Sequence, residues 1–277
     1  MKIVFIADFF VNEILGGGEL NNHELIEIFK ERGHEITSIK SASVSVDFIE
    51  SNANSHFIIA NFLMLSEDCK KALGNKSYII YEHDHKYLIT RNPAYCKDFK
   101  CPENKIINKE FYKNAKAVLC QSQFHSDIVV KNLNIDNVVN LGGNLWPSAS
   151  LLKMREIAKR EKENRCSILE SNISHKNTIG SIKFCKVKQI EYELIKSDSY
   201  FDFLDKLGAN EKFCFFPKTP ETLSRVVVEA RMMNMSVYIN KLIGAASEPW
   251  FSLKGEELID IIEHKRKEIP EKIECLL

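Results

Sequence analysis

Short apolar segments alternate with helix-like segments along the first half of this 277-residue chain. Six of them have the length and composition of buried strands, namely KIVFIAD, HEITSI, HFIIAN, SYIIYEH, AVLCQS and NVVNL. Helix-like segments lie between them, such as GELNNHELIEIFKERG, which ends at Gly33. Strands that alternate with helices are joined by right-handed crossovers, so the pattern predicts a parallel sheet with helices on its faces.

The alternation is interrupted once, between Gly142 and Ser150, and then starts again. Two glycines, an asparagine and a proline in this stretch are typical of a linker. A charged helix-like segment, LLKMREIAKREKENR, comes next, and the further strand segments are CSILES, YELIK, KFCFFP and SVYIN. We therefore predict an α/β protein with two Rossmann-like domains, residues 1–145 and 146–254, and a C-terminal helix within 255–277 that could pack back on the first domain. Ligands of such sheets bind at the carboxyl ends of the strands, so the crevice between the domains is the expected site.

Net charge, the start of the sequence and the cysteine pattern argue against several classes of protein. The chain has 38 basic and 38 acidic residues, which gives no overall attraction to nucleic acid or to an anionic membrane. The apolar start, MKIVFIAD, is interrupted by Asp8 too early for a signal peptide. The eight cysteines form no CxxC pair. We predict that they are reduced thiols that pack as small hydrophobic residues, and that the protein is cytoplasmic. Cys96 and Cys101 are a weaker candidate for a metal site.

The first glycine-rich turn, GGGEL, follows the first strand and opens the first helix. It is neither GxGxxG nor a P-loop. Gly17 and Gly18 would let the backbone approach a ligand, and the N–H groups of the helix start could bind an anion. A flexible turn without a ligand is an equally good interpretation.

The segment YEHDHKY follows the fourth strand and contains two histidines. If the chain stays extended, His83 and His85 lie on one side and Glu82 and Asp84 on the other, which disfavours a four-ligand metal cage. His83 is instead predicted to face a substrate, where it could exchange a proton near neutral pH. A polar strand end that only caps neighbouring loops is the alternative.

Two segments of the second half follow strands and contain charged residues. In ESNISHKN, Lys176 sits where a helix begins and could neutralise a diphosphate. In PKTPETLSRVVVEA, Glu221 lies in the loop, Ser224 is a candidate N-cap, and Glu229 lies inside the helix. The two glutamates are at most about 12 Å apart if every step between them is helical. That separation fits the two ends of a nucleotide sugar rather than one scissile bond. The alternative is a pair of solvated acidic side chains near a helix start.

These segments, in this order, resemble a small GT-B glycosyltransferase, closest to the large retaining family 4 with its E-x7-E motif. The resemblance covers most of the chain, from MKIVFIADFF and GGGEL through YEHD and AVLCQSQFHSDIV to FPKTPETLSRVVVEARMMNMSVYINKLIGAASE. It implies that Glu229 binds the ribose, Glu221 the donor sugar and Lys176 the diphosphate.

The chain departs from the family pattern at several of these positions. Ser171 takes the place of the usual arginine, and Leu223–Ser224 that of the usual Phe-Gly. With Thr222, these residues complete the predicted nucleotide-sugar site. Met235 replaces the usual glycine before the following strand.

The resemblance implies a glycosyltransferase that uses a nucleotide-diphosphate sugar, most simply a UDP-sugar, with retention and without a metal ion or another cofactor. Glu221, His83 and Lys176 would be the catalytic residues. The expected acceptor is a glycan or a lipid-linked saccharide, and a hydroxymethylated DNA base is the alternative. The sequence leaves open functions of other classes: a nucleotide-sugar epimerase or hydrolase, and a non-catalytic nucleotide-sugar binder.

Overall fold

The computed structural model describes all 277 residues and contains two compact units. Unit 1 consists of Met1–Leu145 together with Arg266–Leu277, and unit 2 is Trp146–Lys265. Each unit has one parallel sheet with helices packed against it, so the predicted α/β fold is confirmed. All ten strand segments predicted from the sequence are strands.

Unit 1 has a six-stranded sheet in the order β2-β1-β3-β4-β5-β6. Its strands are β1 (Lys2–Ala7), β2 (Glu35–Lys40), β3 (His56–Ile59), β4 (Tyr78–Tyr81), β5 (Ala117–Cys120) and β6 (Val138–Asn140). Its helices are α1 (Gly17–Glu31), α2 (Val46–Ser51), α3 (Glu67–Leu73), α4 (Lys109–Asn114) and α5 (Gln123–Leu133). Val4 and Ile6 of β1 belong to the core on one face of the sheet, while Ile3 and Phe5 belong to the core on the other. Burial on both faces explains why the strands are continuous apolar runs.

Unit 2 has a four-stranded sheet in the order β10-β9-β7-β8. Its strands are β7 (Glu163–Leu169), β8 (Tyr192–Ile195), β9 (Asn210–Phe215) and β10 (Ser236–Ile239). Its helices are α6 (Ser148–Ala158), α7 (Thr178–Val187), α8 (Tyr200–Gly208), α9 (Arg225–Met232) and the first half of α10 (Gly255–Leu276), which continues into unit 1 from Arg266. A large apolar core includes residues of α6, α8, α9 and α10, and a smaller one contains Cys185 of α7 with Cys166 and Cys214 of the sheet.

The last helix, α10, contributes to both units. Leu258 and Ile262 are fully buried in the core of unit 2, whereas Ile269 and Ile273 are fully buried in the core of unit 1. Pro270 lies inside the helix, where it removes one backbone hydrogen-bond donor. Not one of the helices is long and apolar enough to cross a bilayer.

Several local predictions are wrong. The helices α2 and α3 were not predicted, because each is only six or seven residues long. The charged segment after the linker is not one helix, since α6 ends at Ala158 and β7 already begins at Glu163. The predicted linker does contain the boundary between the two units, and Leu145 and Trp146 on either side of it are fully buried.

The prediction that every cysteine is a reduced thiol fails at one pair. Cys96 and Cys101 form a disulfide across a short turn, which also removes them as metal ligands. Five of the other six cysteines are buried free thiols, as expected for small hydrophobic residues, and Cys275 is exposed.

Candidate active site

The structure brings together two of the residues predicted in unit 2. Lys176 follows β7 and Glu221 follows β9, and the Lys176 Nζ atom lies 2.9 Å from Oε1 and 3.2 Å from Oε2 of Glu221. The ammonium group also lies 5.7 Å from the centre of the Phe215 ring. Both side chains keep some contact with solvent, with exposed fractions of 27% and 15%. The ion pair is therefore accessible at the carboxyl edge of the sheet, where ligands of parallel sheets bind.

The loop that contains Lys176 is tied to the loop after β9. Lys176 ends a short 3-10 turn, and Asn177 adopts a left-handed conformation with a φ of 56°. The Asn177 amide donates to the Phe216 carbonyl at 2.8 Å, and the Lys218 N–H donates to the His175 carbonyl at 2.8 Å. Lys176 thus lies two residues before the first residue of α7, close to the predicted helix start, and the neighbouring loop holds it in position.

Ser171 has a local structural contact. Its Oγ accepts a hydrogen bond from the Ile173 N–H at 3.2 Å, and its own N–H donates to the Thr178 hydroxyl at 3.2 Å. These bonds close the turn that follows β7. That Ser171 also contacts the nucleotide sugar stays a prediction.

The backbone around Glu221 is fixed by a parallel bridge to Ile243. The Glu221 N–H donates to the Leu242 carbonyl at 2.8 Å, and its carbonyl accepts from the Gly244 N–H at 2.9 Å. Leu223 is fully buried and Thr222 is half-buried in the same segment. The segment that joins β9 to α9 is therefore held in place on both sides of Thr222.

Ser224 occupies the N-cap position of α9, but its side chain does not cap the helix. Its backbone is left-handed, with φ 75° and ψ 77°, which differs from the extended conformation of a capping serine. Its hydroxyl oxygen is buried and makes no hydrogen bond. The predicted capping is therefore wrong, and the N–H groups at the start of α9 receive no bond from this side chain.

Glu229 is buried within α9 and is held by two donors. Its Oε1 accepts from the Trp146 indole N–H at 2.9 Å and from the Tyr200 hydroxyl at 2.6 Å. The Arg225 Nε atom lies 3.8 Å from the same oxygen, and the guanidinium group lies 4.2 Å from the centre of the Trp146 ring. Burial, followed by the nearby Glu229 carboxylate, raises the pKa of the Tyr200 phenol well above its usual value, so Tyr200 remains a donor. The structure shows no hydrogen bond to Oε2 of Glu229.

Sequence reasoning missed the three residues around Glu229. Arg225 carries a weak signal, since it lies four residues before Glu229 and therefore on the same face of α9. Trp146 and Tyr200 carry none, because they come from the linker and from another helix.

In unit 1, His83 is held between two side-chain amides. Its Nε2 lies 2.5 Å from Oδ1 of Asn22, and its Nδ1 is hydrogen-bonded to the Gln121 amide nitrogen. In this arrangement Nε2 faces an amide oxygen, which accepts, and Nδ1 faces an amide nitrogen, which donates. The Tyr81 ring lies 4.4 Å away, measured between ring centres. Both ring nitrogens are therefore engaged, which disfavours His83 as a metal ligand.

The prediction that His83 and His85 share one side of a strand is wrong. The strand β4 ends at Tyr81, so side-chain alternation does not extend to these residues. His85 is buried beside His125, and its Nδ1 lies 2.9 Å from the Tyr87 hydroxyl. Burial lowers the pKa of His85 well below its usual value.

The glycine-rich turn lies next to His83. The helix α1 begins at Gly17, and a Cβ added at Gly18 would lie 3.7 Å from the Cβ of His83, an ordinary contact distance. Binding of the nucleotide sugar by Gly17 and Gly18 stays a prediction.

In the same first turn of α1, burial raises the pKa of Glu19, and the Asp8 carboxylate adds to the rise.

Asp8 is a buried residue after β1 that sequence reasoning did not single out as a site residue. Its carboxylate accepts from the Leu63 and Met64 N–H groups at 3.1 and 3.3 Å and from the Ser41 hydroxyl. It therefore fixes the loop after β3 against the end of β1. Its signal in the sequence is a carboxylate directly after a buried strand.

Comparison with known proteins gives similarity at the level of structure. No protein-family model matches the sequence, and no curated protein matches it. An alpha-glucosyltransferase solved with UDP and a DNA 13-mer containing an HMU base is 13% identical with a TM-score of 0.52, and the match covers 98% of this chain and 94% of that one.

Two further structures are similar over the same share of this chain. HepE of Anabaena, in complex with UDP and glucose, is 11% identical with a TM-score of 0.52, covering 98% of this chain and 92% of that one. The lipopolysaccharide outer core galactosyltransferase WaaB is 10% identical with a TM-score of 0.50, covering 98% of this chain and 91% of that one. These similarities extend over both units and agree with the two parallel sheets. The chain has the fold of the GT-B glycosyltransferases.

Proposed function

We propose that this protein is a glycosyltransferase that transfers a sugar from a UDP-sugar to an acceptor hydroxyl. The observation that carries the proposal is the arrangement around Glu229. One carboxylate oxygen is fixed by Trp146 and Tyr200, while the other makes no hydrogen bond to the protein. An oriented carboxylate with one unused oxygen is suited to accept hydrogen bonds from the hydroxyl groups of a ribose. The position of Glu229 in the E-x7-E pattern of the retaining family supports the same role.

Lys176 and the start of α9 would bind the diphosphate. A lysine supplies a positive charge, and helix N–H groups bind anions through the dipole of the helix. Ser224 leaves these N–H groups uncapped, which is consistent with their use by a ligand. As the bond to the leaving diphosphate breaks, negative charge develops on it, and Lys176 would stabilise that charge. These groups would do the work of a metal ion, so no divalent cation is required.

Glu221 would contact the donor sugar. On donor binding, this contact would replace part of the contact between Glu221 and Lys176. In the retaining reaction, the bond between the anomeric carbon and the phosphate oxygen breaks, and the acceptor oxygen bonds to the same face. The acceptor proton passes to the departing phosphate, so the reaction needs no separate base. The Glu221 carboxylate would stabilise the positive character of the sugar. His83, held rigidly by Asn22 and Gln121, would position the acceptor.

The acceptor proposed first is a glycan or a lipid-linked saccharide. Loops that follow β1 and β3 carry exposed apolar side chains, among them Leu15 with 60% exposure and Leu63 with 51%. Phe9 and Met64 are exposed in the same loops. Phe9 follows Asp8 in the chain, and the Asp8 carboxylate accepts from the N–H groups of Leu63 and Met64. Exposed apolar residues in loops that follow strands of a parallel sheet favour an acceptor with an apolar part. The similarity to a lipopolysaccharide galactosyltransferase agrees with this choice.

Glycosylation of a modified DNA base is the second candidate. It is favoured by the similarity to an alpha-glucosyltransferase solved with DNA. Binding through phosphate contacts would weaken steeply with salt, because neutralised phosphates release counterions. Gel-shift titrations on duplexes at two salt concentrations test this. No binding even at low salt would eliminate DNA and leave the glycan or lipid acceptor.

Incubation with UDP-, GDP- and ADP-sugars tests the function as a whole. We expect free UDP to be released from a UDP-sugar, faster with the correct acceptor. Equal release without acceptor would indicate a hydrolase, a changed sugar without release would indicate an epimerase, and UDP binding without turnover would indicate a non-catalytic binder. Lys176→Ala should abolish the release, while Lys218→Ala, at an exposed neighbouring lysine, should not.

A further inference from the structure

Three cysteines that are distant in the sequence meet in the smaller core of unit 2. Cys166 lies on β7, Cys214 on β9 and Cys185 on α7, and the three sulfur atoms all lie within 4.8 Å of one another. The strands are parallel neighbours in which Ile168 is paired with Cys214. Cys166, two residues before Ile168, therefore points to the same face of the sheet as Cys214. We call these residues the three-thiol cluster.

We propose that the three-thiol cluster is a binding site for a thiophilic metal ion of the Zn²⁺ class. Thiolate sulfur is the ligand that selects such ions in proteins. Zinc–sulfur bonds are about 2.3 Å long, which places tetrahedrally arranged sulfurs roughly 3.8 Å apart. The observed separations require movements of no more than about 1 Å to reach this arrangement. The three thiols are free, whereas Cys96 and Cys101 form the disulfide of the chain.

A surface cavity borders the cluster at Cys185, although all three cysteines are fully buried. Cys185 lines a surface cavity of about 360 Å³, together with Arg165, Lys186 and Tyr192. An ion could enter from this side, and a water molecule there could serve as the fourth ligand. Binding converts three thiols to thiolates and releases three protons. The resulting complex has a net charge of minus one, and the cavity lining, with Arg165 and Lys186 against Glu191, carries a net positive charge that would offset it.

The cluster is separate from the proposed glycosyl-transfer site. Lys176 and Glu221 follow the ends of β7 and β9, whereas Cys166 and Cys214 lie within these strands. An ion bound here would link two strands to α7 and would stabilise the folded state of unit 2, since it binds the folded chain in preference to the unfolded one. This role is structural and leaves the metal-independent transfer reaction unchanged.

Cadmium titration of the reduced protein tests the proposal. The starting protein carries Cys96→Ser, Cys101→Ser and Cys275→Ser, so that no accessible thiol outside the cluster contributes. We expect one equivalent of Cd²⁺ to produce a thiolate-to-metal ultraviolet band and to raise the Tm. X-ray absorption at the cadmium edge should count three sulfur neighbours, and this readout does not depend on further variants.

Single serine substitutions in the cluster give the second readout. Replacing any one of the three cysteines should weaken Cd²⁺ binding by more than about 100-fold, because a direct ligand is lost. The matched control is Cys120→Ser, which changes a fully buried cysteine of β5 and should leave binding unchanged. The absence of the band and of the Tm shift, or a sulfur count below three, would overturn the proposal. Equal binding by the cluster variants would do so as well.

Discussion

Replacing Glu229 by glutamine separates its structural role from its proposed role in binding ribose. The glutamine side chain has the same shape, and its amide oxygen can still accept from Trp146 and Tyr200. Glu229→Ala is less informative, because the buried indole N–H and phenol O–H would then have no acceptor, at about 1–3 kcal/mol each. The glutamine variant loses the negative charge and converts one carboxylate oxygen to an NH₂ group, which cannot accept.

The expected magnitudes follow from the contacts at each oxygen. Hydrogen bonds to a charged group contribute about 1.5–3 kcal/mol, and neutral ones about 0.5–1.5 kcal/mol. Two bonds on Oε1 change from charge-assisted to neutral, and the buried Arg225 guanidinium loses the negative charge beside it, so we expect Glu229→Gln to destabilise the fold by at least about 2 kcal/mol. At Oε2, one charge-assisted bond to the ribose is lost, which corresponds to a loss of UDP affinity on the order of 10- to 100-fold.

The assay is calorimetric titration of UDP together with denaturant unfolding. Tyr200→Phe is the matched control, because it removes one donor to Oε1 and leaves Oε2 unchanged. It should destabilise the fold by a similar amount, about 2 kcal/mol, and change UDP affinity by less than about threefold. A Glu229→Gln protein that binds UDP as tightly as the wild type would refute the ribose assignment. An equal loss of affinity in Tyr200→Phe would show that the effect comes from the fold of α9 instead.

Three further predictions concern catalysis, metal ions and pH. Glu221→Gln should lower kcat on the order of 100-fold and leave UDP affinity within a few-fold, because its proposed contact is with the reacting sugar; steady-state kinetics with UDP titration checks this, and weaker UDP binding at unchanged kcat would contradict it. Turnover should survive EDTA, and a complete loss that added metal restores would argue against metal-independent transfer. Burial lowers the pKa of His125 from 6.5 to about 3, so the unfolded chain binds a proton that the folded chain does not, and stability falls as the pH decreases below 6.5. At pH 5.5 the loss is about 1.4 kcal/mol, so the destabilisation by His125→Gln should shrink by that amount between pH 7.5 and 5.5 in denaturant titrations; a pH-independent difference would be inconsistent with a buried neutral histidine.

The sequence by itself determined the fold class and the succession of the strands along the chain. Buried parallel strands are continuous apolar runs, so all ten could be recognised from local composition. The end of α1 could also be placed, because Gly33 has a φ of 81°, which favours glycine. Likewise, Lys176 and Glu221 follow strands, and strand ends meet at one edge of a parallel sheet. The sequence therefore indicates that both residues lie at this edge, whereas their ion pair is seen only in the structure.

The tertiary structure decided which side chains contact the predicted site residues. Trp146 and Tyr200 reach Glu229 from other elements, and no spacing in the sequence marks them as its donors. The left-handed backbone at Ser224, next to a Leu223 carbonyl that accepts from the Ala245 N–H, likewise departs from the usual capping preference of serine.

The cysteines of unit 2 show the same difference between what the local sequence indicates and what the packed fold defines. As isolated positions in apolar segments, Cys166, Cys185 and Cys214 are ordinary small hydrophobic residues. Their convergence depends on the pairing of β7 with β9 and on the packing of α7 over both strands, contacts between residues far apart in the chain. Local sequence reports the conformation and burial of a segment, whereas a shared site requires the relative position of several segments, which only the packed fold defines.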